Sequence, residues 1–207
     1  EKDNNILITP VVSRVNAENH TLEYLYIPDL PVLKRDLEKN WVFFENSGKL
    51  HCLYSISPYR LFVQEHLKGW QKIDLPAANL HWDIEGHVSV STNPIMVDGS
   101  LLVWFHTRHD KTDTYHQGAA LINPKTFKIE YYTRTPLVSG GKCEGRRPGL
   151  LYISSCVYLK ERKLLRVYYG EADAHSSYMD FNKRDLITAI RKFPVEVKEV
   201  EQTEIKI

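Results

Sequence analysis

What most constrains this chain is a strand–turn–strand unit that recurs four times along it. "VVSRV" (11–15) and "TLEYLYI" (21–27) flank a polar "NAENH", and Leu22, Tyr24 and Tyr26 alternate with their neighbours at the period of a strand. The unit returns as "NWVFF" (40–44) and "LHCLYSI" (50–56) around "ENSGK", then as "NPIMV" (93–97) and "LLVWFH" (101–106) around "DGS". Its last copy is "SSCVYL" (154–159) and "LLRVYYG" (164–170) around "KERK". Ser47-Gly48 and Asp98-Gly99 are pairs that accept positive φ, as tight hairpin turns require. The aromatic ending the second strand recurs at Tyr54, Phe105 and Tyr168, an interval of roughly fifty to sixty residues that lies near the spacing of four-stranded propeller blades. A sandwich would show short, even strand intervals without this long-period echo.

Other segments supply outer strands: "RLFVQ" (60–64), "GAALIN" (118–123) and "KIEYYTR" (128–134). "NKRDLITAIRKF" (182–193) sets Leu186, Ile187 and Ile190 on one face of a short helix. "EVKEVEQTEIKI" (196–207) alternates charge with Val and Ile and reads as a closing or edge strand. The expected fold is all-β, a β-propeller. At this spacing 207 residues make fewer than four blades, and an open propeller leaves strand edges uncovered. The expectation is therefore a single partial propeller domain over residues 1–207. Its missing blades would lie upstream of Glu1 or on another chain, so an N-terminal segment of the same protein or a further copy is the expected macromolecular partner.

Composition narrows the function. Lys and Arg total 27 against 26 Asp and Glu, a formal net charge of +1, which gives no long-range field for nucleic acid or acidic membranes. No basic stripe interleaved with stacking aromatics is present, and no apolar run reaches the roughly eighteen residues of a membrane span. Cys52, Cys143 and Cys156 are odd in number, widely spaced and without a C-x-x-C pair, so they indicate neither a disulfide framework nor a zinc site. Cys52 and Cys156 sit in apolar runs as small core residues. The sequence opens on no signal peptide, and the cytoplasm is the expected compartment.

Two short motifs are more specific. "EKNW" (38–41) precedes a hairpin whose second strand ends in "YSISP", and "YYGEAD" (168–173) follows downstream; between them lie "STNP" (91–94), "WFH" (104–106) and "YHQGAAL" (115–121). Together these resemble the inverting β-mannoside phosphorylases, glycoside hydrolase family 130, over most of residues 35–175. Protozoan β-mannosyltransferases that use nucleotide sugars look similar. The resemblance implies a five-bladed propeller, of which this chain would be roughly the last three to three and a half blades. It implies a glycoside phosphorylase or mannosyltransferase acting on β-mannosides, with carbohydrate and phosphate as partners and no cofactor. A hydrolase of the same linkage, or a non-catalytic carbohydrate-binding or scaffold propeller, is the alternative. The family's upstream Glu-Asp-Pro-Arg stretch, with its phosphate-binding arginines and catalytic aspartate, has no counterpart in these residues, so the catalytic acid is unassigned here and expected before residue 1.

Phosphate needs no protein base; it needs cations that hold a polyanion against a sugar. The lysine matching Lys39 is a phosphate ligand in the family, and an ammonium is a compact charge on a flexible stem. A solvated lysine beside Glu38 is the alternative. Asn40, Tyr59 and Arg60 complete the expected anion set. Tyr59 stands where family phosphorylases tend to have a histidine, so it can hydrogen-bond but brings no charge, whereas Arg60 could grip an anion bidentately. On the sugar side the candidates are His106, Tyr115 and His116, from "HTRHDKTDTYH" (106–116), and Asp173. The aspartate matching Asp173 binds sugar hydroxyls in the family; a turn-capping Asp is the alternative. The His/Asp spacing of 106–116 matches no familiar ligand pattern, so no metal is expected, and His109, Asp110 and Asp113 read as a solvated tip. The loop "GGKCEGRRPG" (140–149) carries Lys142, Arg146 and Arg147 and reads as solvated. Asp83 and Glu85, read as two residues apart on a strand, would share a face and cannot flank a sugar.

Overall fold

The computed structural model describes residues 11–16, 18–31, 39–65, 69–75, 80–141 and 144–195; of Arg14, Tyr24 and Leu25 only the backbone is described. Glu38, Lys142, Cys143 and the expected closing strand at 196–207 lie outside these residues.

The first hairpin forms a two-stranded sheet of β1 (Val12–Asn16) and β2 (Thr21–Tyr26). A four-stranded antiparallel meander follows in chain order: β3 (Val42–Asn46), β4 (Lys49–Ile56), β5 (Tyr59–Gln64) and β6 (Trp70–Lys72). The next sheet repeats the pattern with its outer positions broken in two. Both β7 (Val88–Val90) and β8 (Ile95–Val97) pair with β9 (Ser100–Arg108); both β11 (Ile129–Tyr132) and β12 (Val138–Ser139) pair with β10 (Tyr115–Ile122). The last sheet is β13 (Leu151–Leu159), β14 (Leu164–Glu171) and β15 (His175–Asn182). The chain continues directly into α1 (Lys183–Arg191).

Ser47-Gly48 and Asp98-Gly99 turn their hairpins with positive φ at both residues, as expected. Asn182 caps α1, its side chain accepting from the N–H groups of Arg184 and Asp185. Leu186, Ile187 and Ile190 are buried beneath that helix.

Alternation along the central sheet explains the layering. Leu101, Val103 and Phe105 of β9, with Ala120 and Ile122 of β10, join a core shared with Leu53, Ile56 and Leu61 of the first meander. The intervening Leu102, Trp104, Ala119 and Leu121 join a second core with Ile153, Leu165, Val167 and the helix. A sheet covered on both faces has near-continuous apolar runs, and Leu101–Phe105 of β9 and Gly118–Ile122 of β10 are such runs. Gly118 is part of that fit: a Cβ there would meet the Phe105 ring at 2.5 Å. Cys52 and Cys156 are buried free thiols, and burial pushes Cys156 up to about 11, so both are inert packing residues.

Two sequence expectations need correction. Residues 81–87, read as strand, form a loop; Asp83 donates its N–H to the Arg134 carbonyl and Glu85 pairs with Lys111 at 3.1 Å. Strand β15 was not expected at all, because "HSSYMDFN" carries little apolar character and is mostly exposed.

Candidate active-site groove

The segment Lys39-Asn40-Trp41 enters β3 at one end of the sheets. Asn40 has φ 62°, a left-handed conformation that asparagine tolerates better than most residues. Here two clefts adjoin. The larger, about 660 Å³, is lined by Lys39 and Asn40, by His106 and Tyr115 of the central sheet, by Tyr152 and Tyr169 of the last sheet, and by Asp173 of its β14–β15 turn. The smaller, about 350 Å³, is lined by the same Lys39 and Asn40 together with Trp41, Tyr54, Arg60 and His87. One end of the groove is thus cationic, the other rich in phenols with a single carboxylate.

Of the expected anion set, Lys39, Asn40 and Arg60 come together in the smaller cleft. Tyr59 does not join them. Neighbours on a strand face opposite ways, so Arg60 is exposed while Tyr59 is buried. The Tyr59 hydroxyl donates to the Phe127 carbonyl at 2.8 Å, and burial raises its pKa, leaving it a structural phenol.

The same parity divides the sugar set. His106 pairs with Gln117 and Arg108 with Tyr115 across β9 and β10, which puts these four on one face. His116 therefore points away; its Nδ1 lies 2.8 Å from Ser139 Oγ, and it lines neither cleft. His106 is almost fully buried, its ring stacked 5.8 Å from Tyr115 and edge-on at 5.0 Å to Tyr152. Desolvation, then the charges of Lys39 and His87, push its pKa down to about 4, so the imidazole is neutral at pH 7. Burial likewise raises Tyr152, which stays a neutral hydrogen-bonding phenol.

Asp173 sits in the β14–β15 turn, where both Ala172 and Asp173 have positive φ. Among the described residues its carboxylate accepts no hydrogen bond from that turn; the turn is held instead by backbone bonds from Ala172 N to Leu150 O and from Arg147 N to Ala172 O. Arg147 is not a solvated loop cation. Its guanidinium lies 5.6 Å from the Tyr115 ring and 3.4 Å from Asp113, which also binds Arg108. His109 Nδ1 accepts from the backbone of Lys111 and Thr112, so the loop tip is internally bonded. Among the described residues no group of His, Cys, Asp and Glu is arranged to hold a metal ion.

Tyr152 carries no signal in the sequence, and Tyr169, Ser91 and Gln117 stand there only inside longer motifs. Only the cross-strand register of β10 points to Gln117.

The profile of glycoside hydrolase family 130, described as β-1,4-mannooligosaccharide phosphorylase, matches residues 40–192. No curated protein matches the sequence. The β-1,2-mannobiose phosphorylase of Listeria innocua, solved with β-1,2-mannobiose, superposes with a TM-score of 0.69 at 18% identity, covering 90% of this chain and 54% of that one. A glycosyl hydrolase of Bacteroides ovatus gives 0.57 at 14% identity, covering 86% and 58%. A third structure, described as showing that this family of mannoside phosphorylases contains hydrolases targeting β-1,2 mannosidic linkages in Candida mannan, gives 0.51 at 15%, covering 70% and 48%. At such identities the likeness establishes the all-β fold, and the chain spans about half the length of these structures.

Proposed function

The chain belongs to glycoside hydrolase family 130, and from that footing we propose that it forms the last three to three and a half blades of a five-bladed propeller acting on β-mannosides by inverting phosphorolysis. The three successive antiparallel sheets of β3–β6, β7–β12 and β13–β15 support the blade reading, with residues 1–207 as part of one domain. One observation carries the function: Lys39 and Asn40 line both clefts, so a ligand anion in the Arg60 cleft abuts a ring in the tyrosine cleft.

In the proposed reaction a phosphate oxygen attacks the anomeric carbon as the glycosidic C–O bond breaks, and a proton passes to the leaving oxygen. Lys39 and Arg60 offset the charge of the phosphate, Asn40 orients it, and Asp173 accepts from hydroxyls of the sugar. The protonating acid is supplied by an upstream blade of the same protein. Carbohydrate and phosphate are the partners, and no cofactor enters the chemistry. A nucleotide diphosphate in the same cleft would give mannosyl transfer.

Tyr59 favours a second reading. Its hydroxyl is committed to Phe127, so the anion end has one fewer ligand than the family pattern would provide, and hydrolysis of the same linkage is the alternative. Calorimetric titration with inorganic phosphate and with β-1,4-mannobiose tests the assignment. Lys39→Ala should weaken phosphate by about tenfold or more, the loss of a charged hydrogen bond, and mannobiose by no more than about twofold. Equal losses for both ligands would sink the anion role.

A further inference from the structure

Behind the wall of the larger cleft runs a buried polar chain that the proposed reaction leaves unused. Gln117 is fully buried, and its Nε2 donates to the Leu151 carbonyl on the neighbouring sheet at 2.6 Å. A carbonyl only accepts, so this bond fixes the orientation of the amide and leaves Oε1 in need of a donor. The Ser91 hydroxyl lies 3.4 Å from that oxygen and 2.9 Å from Nδ1 of His106.

Ser91 has one proton to give. Donated to Nδ1, it would leave the buried Gln117 oxygen without a partner, the costlier arrangement. Donated to Gln117, it lets Ser91 Oγ accept from a protonated Nδ1, and His106 Nδ1, Ser91 Oγ and Gln117 Oε1 each have a partner. The order is then His106 Nδ1–H to Ser91 Oγ, Ser91 O–H to Gln117 Oε1, and Gln117 N–H to Leu151 O. A single tautomer follows, with the lone pair on Nε2, because the bond at one ring nitrogen sets the state of the other. His106 lines the cleft, and no hydrogen bond to its Nε2 occurs among the described residues.

We propose that Ser91 and Gln117 are positioning residues that hold His106 as a neutral Nδ1–H imidazole, whose Nε2 accepts a hydrogen bond from a carbohydrate hydroxyl in the larger cleft. The ligand class rests on the preceding reading; the tautomer does not. Around the ring stand Lys39, His87, Tyr115 and Tyr152, none of them a carboxylate that would favour the imidazolium. A fixed acceptor gives specificity, since it discriminates against a sugar whose matching hydroxyl is missing.

Long-range proton–nitrogen correlation spectra of the ligand-free, ring-labelled protein at pH 7 read the tautomer directly. Wild type should show His106 protonated at Nδ1, and both Ser91→Ala and Gln117→Leu should shift it toward the Nε2–H form. An Nε2–H wild type, or a tautomer indifferent to both substitutions, would overturn the lock. Ser91→Ala carries the readout even where Gln117→Leu fails to fold. Binding of methyl β-D-mannopyranoside and its monodeoxy analogues tests the acceptor role. Wild type should lose about tenfold in affinity for one analogue, and Ser91→Ala should reduce that discrimination to about twofold. Identical discrimination by the two proteins would contradict it. Failure of every mannoside to bind, with the tautomer as stated, would count against the mannoside reading and leave the lock standing.

Discussion

His106 belongs at once to a strand interior and to a cleft wall, and its protonation follows from that position. Its pKa is pushed from an ordinary 6.5 to about 4 in the folded protein, first by desolvation and then by Lys39 and His87. Between those values the unfolded chain binds a proton that the folded chain lacks, so stability rises with pH there and falls as pH drops from about 6.5 to about 4. Urea denaturation at stepped pH should find that wild type loses roughly 3 kcal/mol more than His106→Gln across this window. Equal losses would mean that His106 is not held neutral by its surroundings. Residue identity made His106 and Tyr115 visible in the sequence as polar aromatics near strand ends. Parity also held the means to reject His116, since Tyr115 and His116 are neighbours on one strand and cannot share a face. Tyr59 was different: its acceptor, Phe127, lies 68 residues away, and no local pattern announces such a bond.

The β14–β15 hairpin shows how an element presents a carboxylate to a cleft. Alanine at positive φ costs about 1 kcal/mol, and Ala172 is held there by its bonds to Leu150 and Arg147 on the preceding loop. The loop thus fixes the turn while the Asp173 carboxylate stays unused by it. Asparagine tolerates the left-handed region as aspartate does, so Asp173→Asn removes charge without changing the backbone requirement. Its thermal midpoint should match wild type while its affinity for β-1,4-mannobiose falls by about tenfold to a hundredfold. A lower midpoint with unchanged affinity would make Asp173 a turn residue instead. The hairpins themselves were legible because turn chemistry and period-2 alternation agree at each of them. The strand β15 was not, because an edge strand with an exposed polar face has little hydrophobic pattern to show. The loop at 81–87 mimics strand alternation, yet its Asp83 N–H bonds a distant loop carbonyl, Arg134, and not a ladder partner.

Across the molecule, the central sheet is sealed on both faces, so β9 and β10 can hold His106 and Tyr115 at one end without competing with the core. The segment before β3 brings Lys39 and Asn40 to the same end, and the turn after β14 brings Asp173. No stretch of sequence contains this groove; it arises from three sheets whose order follows the chain. The long repeat agrees with that order, and the motifs "EKNW" and "YYGEAD" contain Lys39 and Asp173, but the contacts of Ser91 and Gln117 depend on register between strands. In the proposed reaction one groove holds an anion and a mannosyl ring side by side, meeting at Lys39. A crystal structure of the protein with inorganic phosphate and β-1,4-mannobiose both bound tests it most directly. Phosphate should lie between Lys39 and Arg60, with a mannosyl ring against Tyr115 and Tyr152 and its hydroxyls on Asp173 and His106 Nε2. Phosphate bound away from Lys39, or the sugar seated in the Arg60 cleft, would contradict it.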